Sequence, residues 1–123
     1  MRLIMKKLTL LLLLMMSTNV LSDWSSRDYD NMSKIEKDNL RMYINGVGEG
    51  SSWMSIIQES NNKEYRKLYC PPVDLVLDVN KYVDILEKRI NKVKKLNYSN
   101  LGNFPIGMEL INGLIDTFPC DKK

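Results

Sequence analysis

Histidine is absent from all 123 residues, which removes the commonest general base and the commonest metal ligand together. Cysteine occurs only at Cys70 and Cys120. Joined to each other, the two leave neither a thiolate zinc site nor a thiol nucleophile. No serine sits in the strand-turn-helix setting of a nucleophile elbow, and no segment alternates polar and apolar residues with period two, so nothing reads as a strand. Glu36, Glu49, Glu59 and Glu64 recur at spacings that solvated helix faces produce by default, without a partner constellation for acid-base work. These absences assign no catalytic residue, no cofactor and no metal. The expectation is a chain that is not an enzyme and acts by binding.

A membrane-spanning run is lacking too. The uncharged stretch from Leu8 to Leu21 is 14 residues long, short of the ~20 that cross a bilayer as a helix. It follows Arg2, Lys6 and Lys7 and gives way to small polar residues, with Val20 and Ser22 at the minus-three and minus-one positions of a cleavage site. Residues 1–22 therefore read as a signal peptide and Asp23 as the mature N-terminus. No cysteine opens the mature chain, so lipid attachment there is not indicated.

The leader also carries the apparent excess of positive charge. The whole chain has 18 basic and 15 acidic residues, and the three basic residues of the leader are the entire difference. A balanced mature chain gives little support to nucleic-acid binding, which scales with clustered Lys and Arg. The 101 residues that remain make one small domain with a modest core. In an oxidising compartment the two cysteines are expected to pair. A bridge between positions 50 apart removes roughly 4 kcal/mol of loop-closure entropy from the unfolded chain, a large share of a typical stability of about 5–15 kcal/mol.

Taken in order, residues 23–32 are polar around Trp24 and Tyr29 and read as a flexible lead into the fold. The helical domain follows from Ser33 to Lys123. Ile35, Leu40, Tyr43, Ile44, Val47, Met54 and Ile57 recur at three- and four-residue steps, which predicts a helix from about Ser33 to Glu59, opened by a capping box of Ser33 and Glu36. Gly46, Gly48 and Gly50 interrupt it at a cost of about 1 kcal/mol each; the alternative is a loop from Gly46 to Ser52 between two short helices, and one long helix is favoured because the apolar steps keep phase across the glycines. Gly46 and Gly50 share a face that admits a second backbone, and packing within the chain is favoured over a contact between chains. Without a preceding strand or a following Lys-Ser or Lys-Thr, these glycines do not form a phosphate loop.

Asn61 to Tyr69 is a charged connection. Pro71 and Pro72 exclude helix. Val79, Val83, Leu86, Ile90 and Val93 define a second helix, capped by Asp74 or Asp78 and ending in lysines that suit the helix dipole. Asn97 to Asn103 is turn-rich. A last helix from Pro105 to Thr117 carries Met108, Ile111, Leu114 and Ile115 and stops before Pro119. The fold class is all-α: a small disulfide-linked bundle of three to four helices.

One further pattern combines Tyr43-Ile44-Asn45-Gly46-Val47 on the first helix, Cys70-Pro71-Pro72, a helix containing Tyr82 to Glu87, and Phe118-Pro119-Cys120 near the end. In these features the chain from 33 to 120 resembles the Rap/Tai immunity proteins, which protect Gram-negative bacteria against peptidoglycan-cutting effectors of type VI secretion. The resemblance implies a periplasmic helical protein, often a homodimer, that binds its cognate peptidoglycan amidase and occludes the cleft without doing chemistry. The sequence offers two loops as effector-binding candidates. One holds Tyr65, Arg66 and Tyr69, where the tyrosines either anchor a partner or pack on the core. The other holds Asn97, Tyr98 and Asn100. A competing reading is a small periplasmic acid-stress chaperone with a single disulfide, which exposes apolar surface when its carboxylates protonate.

Overall fold

The computed structural model describes residues 24–96 and 104–121. Three helices form the bundle: α1, Lys34–Asn61; α2, Val79–Lys95; and α3, Ile106–Thr117. A short 3-10 turn, Tyr29–Asn31, precedes them, and there is no strand among the described residues. The Cys70–Cys120 disulfide is formed, with its Cα atoms 5.0 Å apart. The all-α, single-bridge architecture expected from the sequence is the one observed.

Local chemistry explains where the helices start. The backbone N–H of Glu36 donates to the Ser33 hydroxyl at 3.3 Å, and the Ser33 N–H donates to the Glu36 carboxylate at 2.7 Å. This reciprocal pair satisfies two donors that a helix start otherwise leaves open. At α2 it is Asp78, not Asp74, that accepts from the N–H of Lys81 at 2.9 Å. Lys92, Lys94 and Lys95 close that helix where its dipole is negative.

The core is built from Leu40 and Ile44 of α1, Tyr82, Ile85, Leu86 and Ile90 of α2, and Ile106, Leu110 and Leu114 of α3, with Tyr69 from the connection. Gly113 lets α2 and α3 meet closely, since a Cβ there would lie 2.9 Å from Ile85 Cγ2. Arg89 of α2 reaches across this contact. Its Nε donates to Glu109 at 2.8 Å and its Nη1 to Asp116 at 2.9 Å. Glu109 is 0% exposed, so this ion pair is what makes a carboxylate tolerable there. Its other oxygen, Oε1, finds no partner among the described residues.

Three features depart from expectation. The segment 24–32, read as flexible, is tied down. Ile106 N–H donates to Trp24 O at 2.8 Å and Ser26 N–H to Phe104 O at 3.2 Å, so the strand-like lead supplies acceptors and donors that the start of α3 lacks. Trp24 packs edge-on against Tyr43 with ring centroids 6.2 Å apart. Tyr29 donates to Glu87 at 2.5 Å, and Lys94 pairs with Asp30.

The second departure concerns the glycines. Gly48, rather than Gly46 or Gly50, is the site of close packing: a Cβ there would fall 2.5 Å from Cζ of Tyr82. At Gly46 and Gly50 a Cβ would meet nothing within 4 Å. The intrachain packing expected of those two does not occur, and the fold gains nothing visible from a helix penalty of about 1 kcal/mol at each.

The third is which side of α1 faces inward. After Leu40, Ile44 and Gly48 the inner face continues as Ser51, Ser52 and Ser55, all part-buried, because tyrosines from other segments fill the space. Ile35, Tyr43, Met54 and Ile57, expected on the core stripe, are exposed instead. Ile35, Met42, Gly46, Gly50, Trp53 and Ile57 follow one another along the outer side, seven residues apart at the first step and three or four at the rest. At 3.6 residues per turn they make a single stripe. Met42 is 77% and Trp53 64% exposed. Every charged residue of the helix, Lys34, Glu36, Lys37, Asp38, Arg41, Glu49 and Glu59, falls off that stripe.

Candidate protein-binding surface

The connection from α1 to α2, residues 62–78, has no regular helix or strand, yet it is held along its length. Asn62 opens it with an Asx turn, its side-chain oxygen accepting from Glu64 N–H at 3.0 Å and its carbonyl from Tyr65 N–H at 3.0 Å. Lys67 pairs with Glu59 at 2.8 Å. Tyr69 is only 5% exposed, and its hydroxyl lies 2.6 Å from Ser51 Oγ. Ser51 gives its own proton to the Gly48 carbonyl at 2.9 Å, so Tyr69 is the donor in that pair. One residue on, Cys70 is bonded to Cys120 and its N–H donates to Phe118 O at 2.8 Å. Lys81 Nζ closes the far end by donating to Val76 O at 2.9 Å.

Between these fixings the loop turns three aliphatic side chains to water: Leu68, Val73 and Val76. Val73 has no cover at all, at 101% relative exposure. Apolar side chains on a pinned backbone lose little conformational entropy when a partner covers them. Such a surface favours binding over chemistry.

Of the loop residues singled out from sequence, Arg66 is exposed and open to a partner. Tyr65 is half-buried, its hydroxyl 3.4 Å from Ser55 Oγ, and Tyr69 is a core residue. The two tyrosines thus take the packing alternative, and the aliphatic residues beside them carry the exposed apolar area. Sequence reading did not offer Leu68, Val73 or Val76 as contact residues. For the two valines the signal was the run of Val73 to Leu77 directly after two prolines, where no helix or strand period can bury every second or third side chain. Asn97, Tyr98 and Asn100 lie outside the described residues.

Among the described residues no three of Asp, Glu, His or Cys converge as a cation site would require, and no helix there is long and apolar enough to cross a membrane. The perturbed titrations all belong to structural contacts. A hydrogen bond from Lys92, with Arg89 beside it, holds the Asp116 carboxyl below its usual range. Burial, then the hydrogen bond to Glu87, pushes the Tyr29 phenol up. The Ser33 N–H does for Glu36 what Lys92 does for Asp116. Comparison with known protein families, curated proteins and solved structures finds no match.

Proposed function

We propose that this chain is an exported, periplasmic immunity protein of the Rap/Tai type, which inactivates a type VI secretion peptidoglycan amidase by covering its catalytic cleft. The observation that carries the reading is the clasped loop 62–78. It projects Leu68, Val73 and Val76 from a backbone pinned by Tyr69 and the Cys70–Cys120 bridge. A cleft is blocked by a protrusion that does not collapse on entering it, and the same sequence features that carry the family resemblance, Cys70-Pro71-Pro72 and Phe118-Pro119-Cys120, build this protrusion's base. The binding energy comes from aliphatic side chains leaving water, with Arg66 at the rim to orient the complex. No group of this chain takes part in bond making.

The test is retrieval and protection. The full chain, expressed with its leader and recovered from the periplasm, should co-purify with an amidase encoded beside its gene and protect cells in which that amidase is sent to the periplasm. Val73→Asp and Leu68→Asp should abolish both while leaving helix content unchanged, since neither side chain is part of the core. No retained amidase together with no protection refutes the proposal.

One observation favours a second reading, that of an acid-stress chaperone. Asp116 accepts from Arg89 and Lys92 across the α2–α3 contact and its carboxyl is held below its usual range, so protonating it removes part of that contact. Protection of client proteins and dye binding near pH 2–3, well below ordinary carboxylate values, would select that reading. A compact chain without client protection there excludes it.

A further inference from the structure

Away from the loop, a pocket of about 140 Å³ opens between α1 and α2. Its floor is Leu40, Ile44 and Leu86, all members of the core. A cavity of about 150 Å³ with a lining of that kind takes a molecule the size of benzene, so the space suits a single isobutyl or phenyl group.

The two sides of the pocket carry opposite charge. Lys37 and Arg41, one turn apart on the same face of α1, form one side, and Glu87, one turn beyond Val83 on α2, stands on the other. None of the three charged residues joins an ion pair among the described residues. Tyr29 meets both sides: Lys37 Nζ lies 5.1 Å from the centroid of its ring, and its hydroxyl donates to Glu87 Oε1 at 2.5 Å. Arg41 gives one Nη2 proton to Asn80 Oδ1 at 2.5 Å. Its other donors, the Lys37 ammonium and the second oxygen of Glu87 stay available to a ligand.

We infer that this pocket binds a free α-amino acid with an apolar side chain of about the size of leucine. The side chain enters over Leu40, Ile44 and Leu86, the carboxylate lies on the side of Lys37 and Arg41, and the ammonium lies on the side of Glu87. Charge complementarity chooses this occupant. A plain carboxylate of the same shape brings its charge toward Glu87 with nothing to offset it, and a plain amine meets two cations. A zwitterion laid across the pocket satisfies both sides at once. Apolar floor and few orienting polar groups are the ordinary make-up of a small-molecule site. No lining residue belongs to the loop 62–78, so the inference stands or falls separately from the immunity reading.

The experiment titrates the isotope-labelled full chain and follows its amide chemical shifts by NMR. The probes are leucine, isocaproate, which lacks the ammonium, isoamylamine, which lacks the carboxylate, and glycine, which lacks the side chain. Leucine should shift the amides of residues 37–44 and 83–87 with a Kd on the order of 1 mM, as befits so small a ligand. Glycine should bind roughly 30-fold more weakly, the cost of leaving the apolar floor uncovered. Arg41→Gln should weaken leucine and isocaproate about three- to fivefold and leave isoamylamine unchanged, and Glu87→Gln should weaken leucine and isoamylamine by as much and leave isocaproate unchanged, the size expected of exposed ion pairs. Both variants replace side chains at the rim and should keep the helix content of the wild type. The inference is overturned if leucine moves none of these amides up to ~50 mM, far above the expected Kd. It is equally overturned if glycine binds as well as leucine, if isocaproate or isoamylamine binds as tightly as leucine, or if both variants bind leucine as the wild type does.

Discussion

Substituting alanine for each of three glycines in one helix should produce opposite signs of the same small change. At Gly48 the new Cβ would sit 2.5 Å from Tyr82 Cζ and 2.6 Å from both Cε atoms, where non-bonded carbons prefer about 3.5–4.0 Å. The ring is 2% exposed and enclosed by Ile44, Leu86 and their neighbours, so it has no open side to retreat to. Either α1 lifts from α2 or the tyrosine leaves its rotamer. Overpacking of this kind costs about 1–3 kcal/mol, and a clash with three ring atoms belongs at the upper end. Against it stands a gain of about 1 kcal/mol from replacing glycine within a helix. The net loss is about 2 kcal/mol, or roughly 10 °C in Tm for a domain of this size. At Gly46 and Gly50 only the gain operates in the monomer, about 1 kcal/mol or roughly 5 °C each.

The assay is thermal unfolding by far-UV circular dichroism on dilute protein, where any association contributes least. A double variant with Tyr82→Leu adds a check, since relieving the ring should make Gly48→Ala less harmful than on its own. The reasoning is refuted if Gly48→Ala melts at or above wild type, or if all three single variants move together.

Other expectations follow from the same contacts. Replacing Cys70 and Cys120 by serine should cost about 2–4 kcal/mol in urea unfolding and should increase hydrogen exchange first in residues 66–76; uniform loss across the bundle would count against a clasp specific to the loop. Arg89→Met should destabilise by about 3–5 kcal/mol because it strands the buried Glu109 carboxylate, whereas Arg89→Met with Glu109→Leu should recover most of that loss, and equal instability of the two variants would contradict the account. The folded-state pKa of Asp116 is depressed, so its contribution to stability is complete above the unfolded value of about 3.9 and is lost as pH falls through the lower folded value. Tm measured from pH 5 to pH 2 should therefore fall less steeply in Asp116→Asn than in wild type, and parallel slopes would remove Asp116 from the acid transition.

The helices were legible because their signals are local. Ser33 with Glu36, Asp78 with Lys81, and the lysines ending α2 act within one turn, and tertiary structure did not need to be known to read them. The bridge followed from arithmetic on two cysteines. The orientation of α1 was not legible, and the reason is physical. That helix carries two stripes with the same period, one through Leu40 and Ile44 and one through Met42 and Trp53, and periodicity alone does not rank them. Its inner face continues as Gly48, Ser51, Ser52 and Ser55, none of which carries an apolar side chain. They are covered because Tyr65, Tyr69 and Tyr82 arrive from segments 10 or more residues away. The same tyrosines settle the loop. From sequence Tyr69 could anchor a partner or pack on the core, and it is the buried pin beside the exposed Leu68 and Val73. The docking of 24–32 was hidden for a similar reason: its hydrogen bonds go to Phe104 and Ile106, at the far end of the sequence.

The bridge between Cys70 and Cys120 divides the life of the proposed exported chain into two stages. While thiols stay reduced, the loop lacks its clasp and the bundle lacks a few kcal/mol of its stability, which keeps the polypeptide easy to thread through a translocation channel. Oxidation on the far side then locks the protrusion and the C-terminal helix together in one event. A cell making this protein would thus hold no finished copy in its own cytosol, and the moment of arming would coincide with arrival.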